Sequence, residues 1–115
     1  MNNLMKVSNW VKVCAAEDVP LFEGRRAKIK GSYVGVFRTE EGFYAIGDVC
    51  PHMGGPLSDG LVAGTEVSCP LHNRRVTLTS GEMAGDSLCR VPVFPVEVRD
   101  GMVYVDARVL EESLV

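Results

Sequence analysis

The segment Cys50-Pro51-His52-Met53-Gly54-Gly55-Pro56-Leu57, followed further on by Cys69-Pro70-Leu71-His72-Asn73, decides how the chain reads. Each part holds one cysteine and one histidine in the same order, with a proline directly after the cysteine. Proline fixes its own φ, lacks a backbone N–H and drives the preceding residue toward extended backbone. The two cysteines are thereby given matching backbone settings. Gly54 and Gly55 allow backbone to pass a bulky group with no Cβ atoms in the way. From Gly47 to Gly60 the chain is dense in Gly, Pro, Asp and Ser, which is loop rather than core composition. Cys50, His52, Cys69 and His72 are therefore candidate metal ligands carried on two loops.

On either side of these loops the chain reads as short strands. Trp10 to Cys14 mixes β-branched and polar residues, and Ala15 to Phe22 accommodates one helical turn ending near Pro20. Arg26 to Lys30 alternates, and Gly31-Ser32 is read as a turn. Tyr33 to Arg38 and Phe43 to Ile46 flank Glu40-Glu41-Gly42 as a hairpin. Val96 to Arg99 and Met102 to Val105 alternate around Asp100-Gly101, a strong two-residue hairpin signal. Shorter strands are expected at Thr65 to Ser68 and Arg75 to Leu78, with a turn at Gly81. No long segment repeats apolar residues at helical spacing. The expected fold is all-β: antiparallel sheets in a sandwich or barrel-like arrangement, with a small metal-binding β subdomain over residues 47–81. The whole chain, residues 1–115, fits one domain.

Composition narrows the function. Apolar residues make up 46% and charged residues 23% of the 115, and the net charge of −3 is spread without a basic block. Nucleic acid and anionic membrane surfaces are poor partners for such a chain. No apolar run reaches the roughly 18–20 residues of a membrane span. Met1 to Lys6 has no basic stretch leading into an apolar one, and Arg25-Arg26 is not followed by an apolar segment, so a cytoplasmic location is expected. In a reducing compartment the four cysteines, Cys14, Cys50, Cys69 and Cys89, point to metal rather than to disulfides.

Cys-x-His and Cys-x-x-His are the local spacings by which two loops each give one ligand to each iron of a Rieske [2Fe–2S] centre, where two histidines replace two cysteines. A structural zinc site uses the same Cys2His2 set but usually pairs Cys with Cys and His with His locally. Here every local pair is mixed, which favours the cluster and leaves zinc as the competing reading. Four unconnected core residues are disfavoured by the polar, glycine-rich loops. Cys14 and Cys89 lie outside both loops and are read as small buried hydrophobes. Met53, Leu57 and Leu71 are expected to shield the site. Arg74 and Arg75 are read first as solvated strand-end charges and second as guides for an acidic partner.

These two motifs resemble the Rieske ferredoxin family. Together with Val36-Phe37-Arg38, Phe43 to Ile46, Gly81-Glu82 and Cys89 to Val96, they resemble more closely the small subunit of assimilatory NAD(P)H-dependent nitrite reductase. That subunit family often has an aromatic residue after the Asn of the second loop, where this chain has Arg74. The resemblance implies one Rieske [2Fe–2S] cluster per chain, bound by Cys50, His52, Cys69 and His72. It implies an electron-transfer component that is not catalytic alone. Its first implied partner is a sirohaem and flavin nitrite reductase large subunit. The second reading is a free-standing ferredoxin serving a ring-hydroxylating oxygenase or another reductase, and the third is a zinc-stabilised structural module. His52 and His72 are the only histidines, so no mononuclear iron with two further histidines can be built, and no Gly-x-Gly-x-x-Gly fingerprint is present. Gly55 and Leu71 stand where respiratory Rieske proteins carry an extra cysteine pair.

High-potential members place a serine hydroxyl just past the second histidine, where this chain has Asn73 and Arg74. Hydrogen bonds to cluster sulfurs raise the potential. The reduction potential is therefore expected toward the low end of the Rieske range of about −150 to +300 mV. Protein-film voltammetry checks this, and a value near the top of the range would contradict it.

Overall fold

The run Val34-Gly35-Val36-Phe37 has no polar side chain, and a strand of that kind is stable only when both of its faces are covered. The computed structural model describes residues 9–50, 54–71 and 74–112, and in it this run lies at the centre of three sheets. The strands, in chain order, are β1 (Trp10–Ala15), β2 (Gly24–Ile29), β3 (Ser32–Thr39), β4 (Gly42–Gly47), β5 (Leu61–Ala63) and β6 (Glu66–Ser68). They continue as β7 (Arg75–Thr77), β8 (Glu82–Met83), β9 (Asp86–Arg90), β10 (Val93–Phe94), β11 (Val96–Arg99) and β12 (Met102–Asp106), before a short helix α1 (Arg108–Glu112). Every named pairing is antiparallel, in the orders β1-β12-β11, β10-β4-β3-β2 and β5-β6-β7-β8-β9. This is the all-β architecture expected from the sequence. No helix among the described residues is long and apolar enough to cross a membrane.

The two faces of β3 and β4 feed two different cores. Val34, Val36 and Ala45 join Val103 and Val105 of β12, with Ile29 and Phe94, on one side. Phe37 and Ile46 join Val67, Val76 and Met83 of the five-stranded sheet on the other. The four-stranded sheet is thus the partition between the other two, which accounts for the unbroken apolar run. Phe37 fills its layer by lying over two glycines. A Cβ at Gly24 or at Gly35 would come within 2.7 Å of its ring, and one at Gly35 would also meet Asp48 Oδ1 at 2.6 Å.

Two tight hairpins set the register. At Asp100-Gly101 both central residues have positive φ (52° and 77°), and Arg99 pairs with Met102, as the Asp-Gly signal predicts. Lys30-Gly31 repeats this geometry (51° and 84°), with Ile29 paired to Ser32. The turn therefore falls one residue earlier than Gly31-Ser32. A turn of this type needs positive φ at both centres, so the pair is completed by the residue before the glycine. The turn after β1 is a single 3-10 turn at Ala16–Asp18, inside the expected window.

The sequence reading did not include β5, β8, β9, β10 or α1. Strands of two or three residues are too short to show a period, and β5 exposes Leu61 and Ala63 while burying only Val62. The five-stranded sheet that frames the ligand loops runs past Gly81 to Arg90, because β8 and β9 fold back behind that glycine.

Candidate metal centre

The first loop leaves β4 at Gly47 and returns through a 3-10 turn at Leu57–Asp59. Its neck is closed by a bridge between Val49 and Pro56, and the Leu57 N–H donates to the Asp48 carbonyl at 2.8 Å. Beyond the neck, the Cys50 N–H donates to the Gly55 carbonyl at 2.8 Å and the Gly54 N–H to the Cys50 carbonyl at 2.8 Å. Gly54 has φ +78°, a left-handed conformation that a side chain would strain. The second loop joins β6 to β7, whose ends Ser68 and Arg75 are paired, and the Cys69 N–H donates to the Arg74 carbonyl at 2.8 Å. Both cysteines therefore bond the carbonyl five residues further on. That is the matching backbone setting expected from the two Cys-Pro pairs.

The loops meet. A Cβ at Gly55 would come within 2.8 Å of Leu71 Cγ, 2.9 Å of Leu71 Cδ1 and 3.4 Å of Cys69 Sγ. Gly55 thus lets the second loop seat its cysteine and leucine against the first. Cys50 and Cys69 are 2% and 0% exposed and belong to one apolar cluster with Phe37, Ile46, Leu57 and Val67. His52 and His72, with Pro51, Met53 and Asn73, lie outside the described residues. Of the side chains expected to shield the site, Leu71 is exposed over Gly55, whereas Leu57 is fully buried beneath the loop.

Asp48, Ser58, Arg26 and Gly60 belong to this site, and the sequence reading gave none of them a role in it. Asp48 is fully buried. Its Oδ1 accepts from the Ser58 N–H at 2.6 Å, and its Oδ2 accepts from Ser58 Oγ at 2.9 Å and from Arg26 Nε at 2.7 Å. The bond to Asp48 raises the basicity of the Arg26 guanidinium above its ordinary value. An acid two residues before Cys50, at the end of an apolar strand, is a local signal; Arg26 becomes its partner only through the β2–β3–β4 register. Gly60 packs on the Ser68 carbonyl oxygen, which a Cβ there would overlap.

Cys14 and Cys89, expected as buried hydrophobes, are only partly buried, each packed at the margin of a core. Burial, with Asp18 adding to it, pushes the Cys14 thiol up, so it stays protonated at neutral pH. Cys89 is half-buried against the core of the five-stranded sheet, and no disulfide forms among the described residues. Arg75 pairs with Glu66 at 3.7 Å on the surface.

Two cysteines buried in one apolar wall, brought by loops of matching geometry, suit a soft metal–sulfide group. Thiolates so placed need cationic partners to offset lost hydration. Comparison with known proteins agrees. The family model of the Rieske-like [2Fe-2S] domain matches residues 9–106. The chain is 39% identical over 99 residues to the ferredoxin CarAc of Metapseudomonas resinovorans, covering 84% of this chain and 92% of that protein. It is also 39% identical to a chain in the complex of reduced oxygenase and oxidized ferredoxin in carbazole 1,9a-dioxygenase, with a TM-score of 0.74 and coverage of 87% and 94%. A protein described as an NADH-dependent nitrite reductase small subunit, from Mycobacterium tuberculosis, superposes with a TM-score of 0.77 at 29% identity, covering 84% and 92%. The chain belongs to the family of Rieske-like [2Fe-2S] domains, and its cofactor is a Rieske-type [2Fe–2S] cluster used for electron transfer.

Gly60 offers a test of how the second cysteine is held. Gly60→Ala forces a Cβ onto the backbone carbonyl of Ser68, next to Cys69, with no flexible side chain to yield. The variant is expected to lose on the order of 1–3 kcal/mol of stability and to hold less iron per chain. Denaturant unfolding and iron analysis check this; a variant with wild-type stability and iron content would contradict it.

Proposed function

We propose that the protein is a free-standing ferredoxin that passes single electrons from a reductase to an oxygenase. Cys50 and Cys69 hold one iron of the cluster, and His52 and His72 hold the other. The bound cluster supplies a one-electron couple. The chain's own residues bury the thiolates, orient the two loops toward each other and keep bulk water from the sulfur side. In this reading residues 1–115 act as one domain in the cytoplasm, where reducing conditions keep Cys50 and Cys69 available to iron.

The observation that carries the reading is the 39% identity, across nearly the full length of both chains, to a ferredoxin and to a chain of an oxygenase–ferredoxin complex. Arg74, at the position where nitrite reductase small subunits often have an aromatic residue, supports the same choice. This reverses the order of preference drawn from the motifs and the segments around them. The small subunit of an assimilatory nitrite reductase, feeding a sirohaem subunit, remains the second reading. It is supported by the TM-score of 0.77 to the described small subunit.

Stopped-flow mixing of the reduced protein with candidate acceptors from its own host separates the two. Rapid oxidation by an oxygenase, with slow oxidation by a sirohaem reductase subunit, is the expected result. The reverse order of rates would overturn the proposal in favour of the second reading.

A further inference from the structure

Asp48 is a fully buried carboxylate two residues before a proposed ligand, and binding the cluster does not call on it. It sits at the neck of the first loop, where the strand leaving the central sheet meets the returning 3-10 turn. Two of its contacts, the Ser58 N–H at 2.6 Å and Ser58 Oγ at 2.9 Å, come from that turn. The third, Arg26 Nε at 2.7 Å, comes from the edge strand β2. The Arg26 side chain is 39% exposed and lies 4.1 Å from the centre of the Tyr33 ring. The carboxylate is therefore walled off from water, while its counter-ion is half in solvent.

We propose that Asp48 and Arg26 form a positioning pair that fixes the neck of the first loop and places a net negative field beneath the cluster, holding its reduction potential low. The inference rests on Cys50 being a ligand, as proposed above. Taking up one electron adds one negative charge to the site. A fixed carboxylate in a low-dielectric interior opposes that addition more strongly than the same charge in water. Arg26 acts with the opposite sign, but solvent screens its exposed guanidinium. The two charges do not cancel at the cluster, and the buried one dominates. Ser58 contributes position without charge: its hydroxyl and N–H hold Asp48, and through it the loop, in one place.

Three variants of the cluster-loaded protein separate these roles, with visible spectra and reduced-state EPR confirming that each carries the cluster. Protein-film voltammetry at pH 8 is expected to show Asp48→Asn shifted to a more positive potential. Arg26→Gln should shift to a more negative one, by less. Ser58→Ala should unfold at a lower temperature while keeping a potential near wild type. Unshifted potentials in both charge variants, or shifts of the same sign, would overturn the proposal. So would a potential change in Ser58→Ala equal to that in Asp48→Asn, because geometry rather than charge would then explain it. A wild-type protein that binds no cluster would instead defeat the ligand assignment on which the inference stands, and the spectra distinguish that case from the others.

Discussion

Two cysteines far apart in sequence must arrive side by side in a wall of apolar side chains, each already committed through its N–H to a carbonyl of its own loop. That constraint organises this end of the molecule. It requires loops whose backbones repeat each other, which the Cys-Pro pairs and the equivalent bonds of Cys50 to Gly55 and Cys69 to Arg74 supply. It also requires close approach where the loops touch, which Gly55 permits beneath Leu71 and Cys69. Thiolates in so dry a place are stable only with cationic partners, so the packing and the cofactor are one arrangement.

The three-sheet build serves as the platform. With its two faces in separate cores, the four-stranded sheet gives β4 a fixed exit at Gly47, and the first loop starts from there. The five-stranded sheet fixes β6 and β7, from which the second loop extends. Phe37, which lies over Gly24 and Gly35, shares one core with Val67 and Val76 of the five-stranded sheet, and Asp48 joins β2 to the first loop and its 3-10 turn. The Asp48 carboxylate accepts from the Ser58 N–H and Oγ and from Arg26 Nε, so a residue without those acceptors would leave the buried Ser58 donors unmatched.

Much of this was legible in the residues, for identifiable reasons. The ligand loops carry their chemistry in contiguous residues, and the Asp100-Gly101 hairpin announces itself through a turn that few residues can make. What escaped was non-local or very short. Arg26 meets Asp48 only once β2 is paired to β3, and the strands of two or three residues in the five-stranded sheet are held by the surrounding core rather than by propensity. Gly60 reads as an ordinary turn glycine until the Ser68 carbonyl is placed against it. The partner reading moved for a different reason. The motifs define a cluster class, and the ferredoxin proposal rests on the 39% identity to a ferredoxin over 84% of this chain.

Iron and acid-labile sulfide analysis of the purified protein, joined to EPR of its reduced state, tests the central claim most directly. The account predicts about two irons and two sulfides per chain, with a paramagnetic signal that appears on one-electron reduction. One zinc per chain with no labile sulfide and no reduced-state signal would contradict it.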